Sequence, residues 1–266
     1  MTFSFADPAA GVCGLARLAL AGDGTGSSLA VLFRGREMTA SARGDVPADG
    51  ADFSRLAVAG LATTVEEPLQ RWTVASDDFE LAFEAVGPPA ALGADEPAAL
   101  CGGMEGYEQL CRVSGTVRRD GEAIEVGCAG QRGHAWGTPD WDRIAATRTL
   151  SAWLDDGTGI ALAAVRPAGA GDHEAEARWG ALLAPAANLG VDDPRLSTTY
   201  DGAGFQRRVG LELWIGDEDA YPRRAIGETI CGGSLDLGEQ RLDVAFLRWR
   251  MDGRSGVGRY DLLRRA

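Results

Sequence analysis

Hydrophobic positions in this chain recur every second residue far more often than every third or fourth. Phe79, Leu81 and Phe83 alternate with Glu80, Ala82 and Glu84, the period of a strand with one buried and one wet face. Residues 29–34 form a short apolar run closed by Gly35, and residues 72–75 and 79–85 read as two strands joined at Asp77-Asp78. Further along, 110–117 and 123–127 flank Asp120-Gly121, and 147–154 and 160–166 flank Asp155-Asp156-Gly157. Asp-Gly between apolar runs is a hairpin cue, because glycine accepts the positive φ of the tight turn. Four more strands are expected at 207–215, 225–230, 242–249 and 256–263. Helical signals are weak: 139–146 allows a turn or two of helix. The stretches 182–200 and 90–99 read as loop, the second as the best linker.

Short strands with 37 glycines between them predict an all-β fold, a sandwich or an antiparallel barrel able to enclose a ligand. With 266 residues there is room for two such halves, divided near 100–130; we place them at residues 1–125 and 126–266. The net charge of -13 argues against a nucleic-acid partner and against docking on anionic lipid. Every basic side chain is arginine. No apolar run approaches the roughly 20 residues of a membrane helix, so no membrane insertion is expected. The N-terminus has neither a basic nor an apolar leader region, and a cytoplasmic location is expected. Cys13, Cys101, Cys111, Cys128 and Cys231 form no CxxC pair and read as reduced, mostly buried thiols. With two separated histidines no metal centre is expected, and no cofactor motif is present: Gly22-Asp23-Gly24-Thr25-Gly26 is a run of turn residues rather than a phosphate cradle.

The most unusual segment is Gly133-His134-Ala135-Trp136-Gly137. In an extended chain residues two apart share a face, so His134 and Trp136 project together. An imidazole titrates near neutral pH, and an indole face stabilises a cation by roughly 0.5–2 kcal/mol. The bland alternative makes Trp136 a core plug and His134 a backbone hydrogen-bonder. Acids lie close by in sequence: Asp140 and Asp142 around Trp141, and Glu105 near Tyr107. A carboxyl in an apolar cavity is a general-acid candidate. His173, in the polar stretch from Gly169 to Glu174, reads as a solvated loop residue.

Gly133-His134-Ala135-Trp136-Gly137 followed by Asp140-Trp141 resembles the Asp-His-x-Trp-Gly-x-Arg-Asp-Trp signature of the carotenoid 1,2-hydratase and AttH-like group. Gly106-Tyr107-Glu108, Val113 to Val117, Asp120-Gly121, Trp153 with Asp156-Gly157, and the closing run from Gly256 to Leu263 are similar in context. The resemblance implies two lipocalin-like antiparallel β-barrel or sandwich halves packed together. It also implies proton delivery to an isoprenoid alkene, with a carbocation held beside aromatic rings and captured by water or an internal alkene. The partner is then a hydrophobic small molecule. His134, Asp140, Asp142 and Glu105 become the catalytic candidates, and Trp136, Tyr107, Trp141 and Trp153 the substrate-binding ones. The chain departs from the signature in carrying Gly133 where an acid stands and Pro139 where an arginine stands. The strand 160–165 also lacks the tyrosine and aspartate of the hydratases. A non-catalytic carrier of an apolar ligand is the alternative expectation.

Overall fold

The computed structural model describes residues 1–48, 51–171, 173, 175–216 and 221–266. Strand makes up 69% of it and helix 2%, which settles the all-β class. In the first sheet, β1 (Thr2–Asp7), β2 (Val12–Leu20), β3 (Thr25–Arg34) and β4 (Glu37–Pro47) form one antiparallel meander. A second comprises β5 (Arg55–Val58), β6 (Leu61–Glu67), β7 (Arg71–Ala75) and β8 (Phe79–Ala85). After the short β9 (Ala90–Leu92) and helix α1 (Pro97–Gly102) come β10 (Met104–Arg119) and β11 (Glu122–Gly137), which join the meanders. β10 pairs with β8 and β11 with β1.

The second sheet runs β15-β14-β13-β12-β20-β19-β18-β17-β16. Its members are β12 (Ile144–Leu154), β13 (Gly159–Pro167), β14 (Ala177–Leu183), β15 (Leu189–Gly190), β16 (Asp193–Tyr200), β17 (Gln206–Trp214), β18 (Arg223–Asp236), β19 (Gln240–Met251) and β20 (Arg254–Arg265). Of the two sheets, one curls into a nearly closed barrel and the other into a half-barrel, a two-part lipocalin-like fold.

Two compact units result. The first holds Met1–Pro88 and Gln109–His134, the second Pro89–Glu108 and Ala135–Ala266, so the chain changes unit inside β10 and inside β11. A cut after residue 125 falls within β11.

Alternation does the packing in each unit. Phe79, Leu81 and Phe83 of β8 are buried while Glu80 and Glu84 are exposed, as the two-residue period requires. With Phe3, Trp72, Val74 and Val113 they fill the first unit's core, where Phe3 meets Phe83 edge-on at 5.1 Å. The void among Phe3, Phe5, Leu15, Leu32, Phe79 and Phe83 is about 10 Å³, roughly one water's worth. The second unit packs Leu150, Leu162, Val209, Leu247 and Trp249 in the same manner.

Three sequence expectations are corrected. Residues 90–99 are not a linker: β9 pairs with Gly106–Glu108 of β10, and α1 follows, with proline in its first turn and left-handed Gly103 (φ 64°) ending it. Residues 182–200 are not a loop: β14 runs to Leu183, and β16 buries Pro194 and Leu196 while pairing with β17. Residues 139–146 hold no helix. The Asp140 carboxylate accepts the Asp142 amide at 3.0 Å and closes a turn, after which β12 begins at Ile144. β10 and β11 are also longer than expected, at 16 residues each. The hairpin cues are met: Asp120 (φ 54°) and Gly121 (φ 79°) both take the left-handed conformation between β10 and β11.

Candidate active site

Strand β11 carries the histidine pentad, and its alternation places Arg132 and His134 on the face of buried Val126 in the first unit. Arg132 is 3% exposed, and its guanidinium lies 4.2 Å above the Trp72 ring. That stacking is a cation–π contact at the edge of the apolar core. His134 is half-buried and tilts against Phe53 with ring centroids 4.8 Å apart. Burial, followed by the nearby positive charges of the Met1 amino group and Arg132, pushes its pKa down to about 4. At neutral pH the imidazole is therefore uncharged, a proton acceptor or hydrogen-bond relay rather than a stored proton.

Trp136, two residues on, is 48% exposed and belongs to the second unit. Within that unit Tyr107 tilts toward it with ring centroids 6.2 Å apart, and Tyr107 is placed by its pairing with Ala91 of β9. Glu105 is half-buried and shares the Tyr107 face of β10. The pentad closes at Gly137 with φ 141°, where a Cβ would stand 2.2 Å from the Gly103 carbonyl oxygen. Only glycine allows that approach, so Gly137 serves the backbone.

The Asp140 turn follows on Thr138, whose amide donates to the Gly103 carbonyl at 2.9 Å. Asp140 and Asp142 are exposed turn residues, and Asp142 pairs with Arg265 at 2.9 Å. Trp141 sits half-buried in the same turn. Trp153 is 2% exposed in β12, on the face opposite Leu150 and Ala152. The cysteines are free thiols: Cys13, Cys111 and Cys231 are buried, and burial pushes Cys128 up to about 12, far from a reactive thiolate. No group of three or more His, Cys, Asp or Glu among the described residues is arranged to hold a metal ion. No helix among them is long and apolar enough to cross a membrane.

Sequence reasoning missed a polar constellation in the second unit. Arg148 of β12 is 1% exposed and forms a short ion pair with Glu176 Oε2. Its Nη1 donates to Thr198 Oγ1 at 3.3 Å and to Tyr260 Oη at 3.4 Å. His173 Nδ1 is 2.7 Å from Glu176 Oε1, and its ring stacks over Tyr200 at 6.4 Å. His173 thus joins this network from a bend outside the strands, with its side chain 40% exposed; its neighbours Asp172 and Glu174 lie outside the described residues. A signal was present in the sequence. Arg148 occupies the inward register of Ile144, Ala146, Leu150 and Ala152, where an unpaired charge is untenable.

The site's geometry can be set beside known proteins. A family model matches residues 1–266 along their whole length. The chain belongs to the family described as Domain of unknown function (DUF7064). No curated protein matches the sequence. Among solved structures, kievitone hydratase from Nectria haematococca is similar with a TM-score of 0.71 and 11% identity, covering 99% of this chain and 88% of that one. A protein of Nitrosomonas europaea described as an AttH gives a TM-score of 0.68 at 15% identity, over 98% and 90% of the two chains. CghA with Sch210972 gives 0.68 at 12% identity, over 100% and 88%. At these identities the likeness establishes the fold. It is the fold that the resemblance to the AttH-like group implied.

Proposed function

We propose that the protein hydrates or cyclises a hydrophobic, isoprenoid-like small molecule, with His134 as the proton-handling group. The observation that carries this reading is the neutral, half-buried imidazole held against Phe53 at the rim of an apolar core. In a hydration one alkene carbon gains a proton and the other gains water. The water's surplus proton then leaves to a base, so that alkene plus water gives alcohol. His134 takes that last proton. Trp136 and Tyr107, which tilt together within the second unit, form an aromatic pair suited to an apolar ligand. Among the carboxyls, Glu105 is preferred for a role beside that pair, because it is half-buried while Asp140 and Asp142 are exposed. The fold shared with kievitone hydratase supports the reaction class.

The test is incubation with geraniol, farnesol and geranylgeraniol in isotopically labelled water, read by mass spectrometry. Label is expected in the product alcohol. His134→Gln is expected to lower turnover by about 100-fold or more while prenol affinity changes little. Equal turnover in wild type and variant removes the role of His134. Tight prenol binding with no turnover in either returns the protein to the carrier class.

A further inference from the structure

The first sheet ends in an open edge. β4 is the last strand at that end, and among the described residues no strand pairs with its far side. Glu37, Thr39, Ser41 and Arg43 are exposed on one face of β4; on the other, Ala40 is exposed and Met38 and Ala42 are half-buried. An edge of this kind presents N–H and C=O groups to any strand that comes alongside.

The ladder fixes which groups face outward. The Gly35 amide donates to the Gly11 carbonyl at 2.9 Å, in register with the β2–β3 pairing. Odd-numbered residues of β3 therefore turn their backbone groups toward β2, and even-numbered ones toward β4. Arg34, Leu32, Ala30 and Ser28 stand opposite Glu37, Thr39, Ser41 and Arg43. Those residues of β4 bond to β3, while Met38, Ala40 and Ala42 aim their backbone groups at the open side. Past Arg43 the register shifts and Asp45 takes φ 54°, a bulge that bends the strand. The regular open edge is thus Glu37 to Arg43.

That stretch is complementary to itself. Laid antiparallel on a second copy and centred on Ala40, it sets Glu37 opposite Arg43 at both ends and Thr39 opposite Ser41 on the same face. On the other face Met38 meets Ala42, a large side chain against a small one, and Ala40 meets its counterpart. The backbone agrees, because Met38, Ala40 and Ala42 then form the hydrogen-bonded pairs. Glu37 and Arg43 form a non-hydrogen-bonded pair, the kind in which facing side chains lie closest. A centre at Ser41 would set Glu37 against Asp45, and a parallel in-register pairing would set Glu37 on Glu37 and Arg43 on Arg43. Opposite charges therefore select one register and one direction.

We infer that β4 is a dimerisation edge, which joins two copies of this chain by antiparallel pairing of Glu37 to Arg43 about a twofold axis at Ala40. The pairing uses one edge of each copy, so assembly closes at two. An interface this small stands at the weak end of specific association.

Sedimentation equilibrium of the full chain is the test, at about 0.1 M salt and about 1–300 μM protein. A monomer–dimer equilibrium is expected, with a dissociation constant on the order of 10–100 μM. Ala40→Pro removes an outward N–H and leaves the β3 ladder whole, so a monomer with a native circular dichroism spectrum is expected. Glu37→Arg and Arg43→Glu are each expected to weaken the dimer by about tenfold. An equimolar mixture of these two variants is expected to dimerise as the wild type does, because every arginine then faces a glutamate. Both charge changes stand at exposed positions, so they decide the register even where the proline variant does not fold. The inference fails if the chain stays monomeric over the whole range, or if a natively folded Ala40→Pro still dimerises. It fails equally if the mixture associates no better than its separate components, or if association runs past two copies.

Discussion

At His134, the burial that lowers the imidazole pKa to about 4 also sets two pH dependences. The unfolded imidazole titrates near 6.5 and the folded one near 4, so between these values the unfolded chain holds the extra proton. Stability therefore rises with pH across that window and is lost as pH falls through it. Discounted for partial exposure, the contribution is on the order of 1 kcal/mol. Urea midpoints at about pH 4.5 and about pH 7 are expected to differ less in His134→Gln than in wild type. Turnover that uses the neutral imidazole is expected to be flat above about pH 5.5 and to decline toward pH 4. A rate that climbs as pH falls through that window would place the proton source elsewhere. The residue types and their shared strand were legible in the pentad. The neutral state of His134 was not, because Phe53, Arg132 and the Met1 amino group reach it only through the fold.

Among the elements, β10 shows how closely the two-residue period constrains the backbone. Gly115 has φ 138° and pairs with Leu81 of β8, and a Cβ there would stand 2.2 Å from the Glu80 carbonyl oxygen. Gly115→Ala is expected to cost about 2–3 kcal/mol and lower the melting temperature by several degrees, measured by calorimetry. Gly121→Ala, at the open hairpin tip, is expected to cost about 1 kcal/mol, since only φ is at stake. Strands with clean alternation, such as β7 and β8, were read at nearly their true limits. β16 was not, because Asp193-Pro194 and its mix of polar and apolar residues look like loop until β17 supplies the pairing partner. The turn at Asp140 was mistaken for helix because an Asx turn and a helix start use the same residue types.

For the whole molecule, the buried Arg148–Glu176 pair is the most exacting polar feature of the second unit. Arg148→Met leaves Glu176 buried beside a weaker partner and is expected to cost about 3–5 kcal/mol. Hydrogen exchange is expected to rise first in β12, β14 and β20, the strands that carry or adjoin the pair; unaltered protection there would show the pair to be dispensable. The sequence by itself determined the all-β class, the hairpins at Asp120-Gly121 and Asp156-Gly157, and the face that each regular strand buries. These are local matters, decided by side-chain period and by which residues accept positive φ. Only the tertiary structure decided that the chain changes unit within β10 and β11. It alone paired Trp136 with Tyr107 and left the acids of the Asp140 turn exposed. It alone brought Arg148, Glu176, Thr198 and Tyr260 together from four distant segments. The physical reason is that strand pairing and the meeting of buried charges join residues up to 131 positions apart, and no local pattern records which ones will meet.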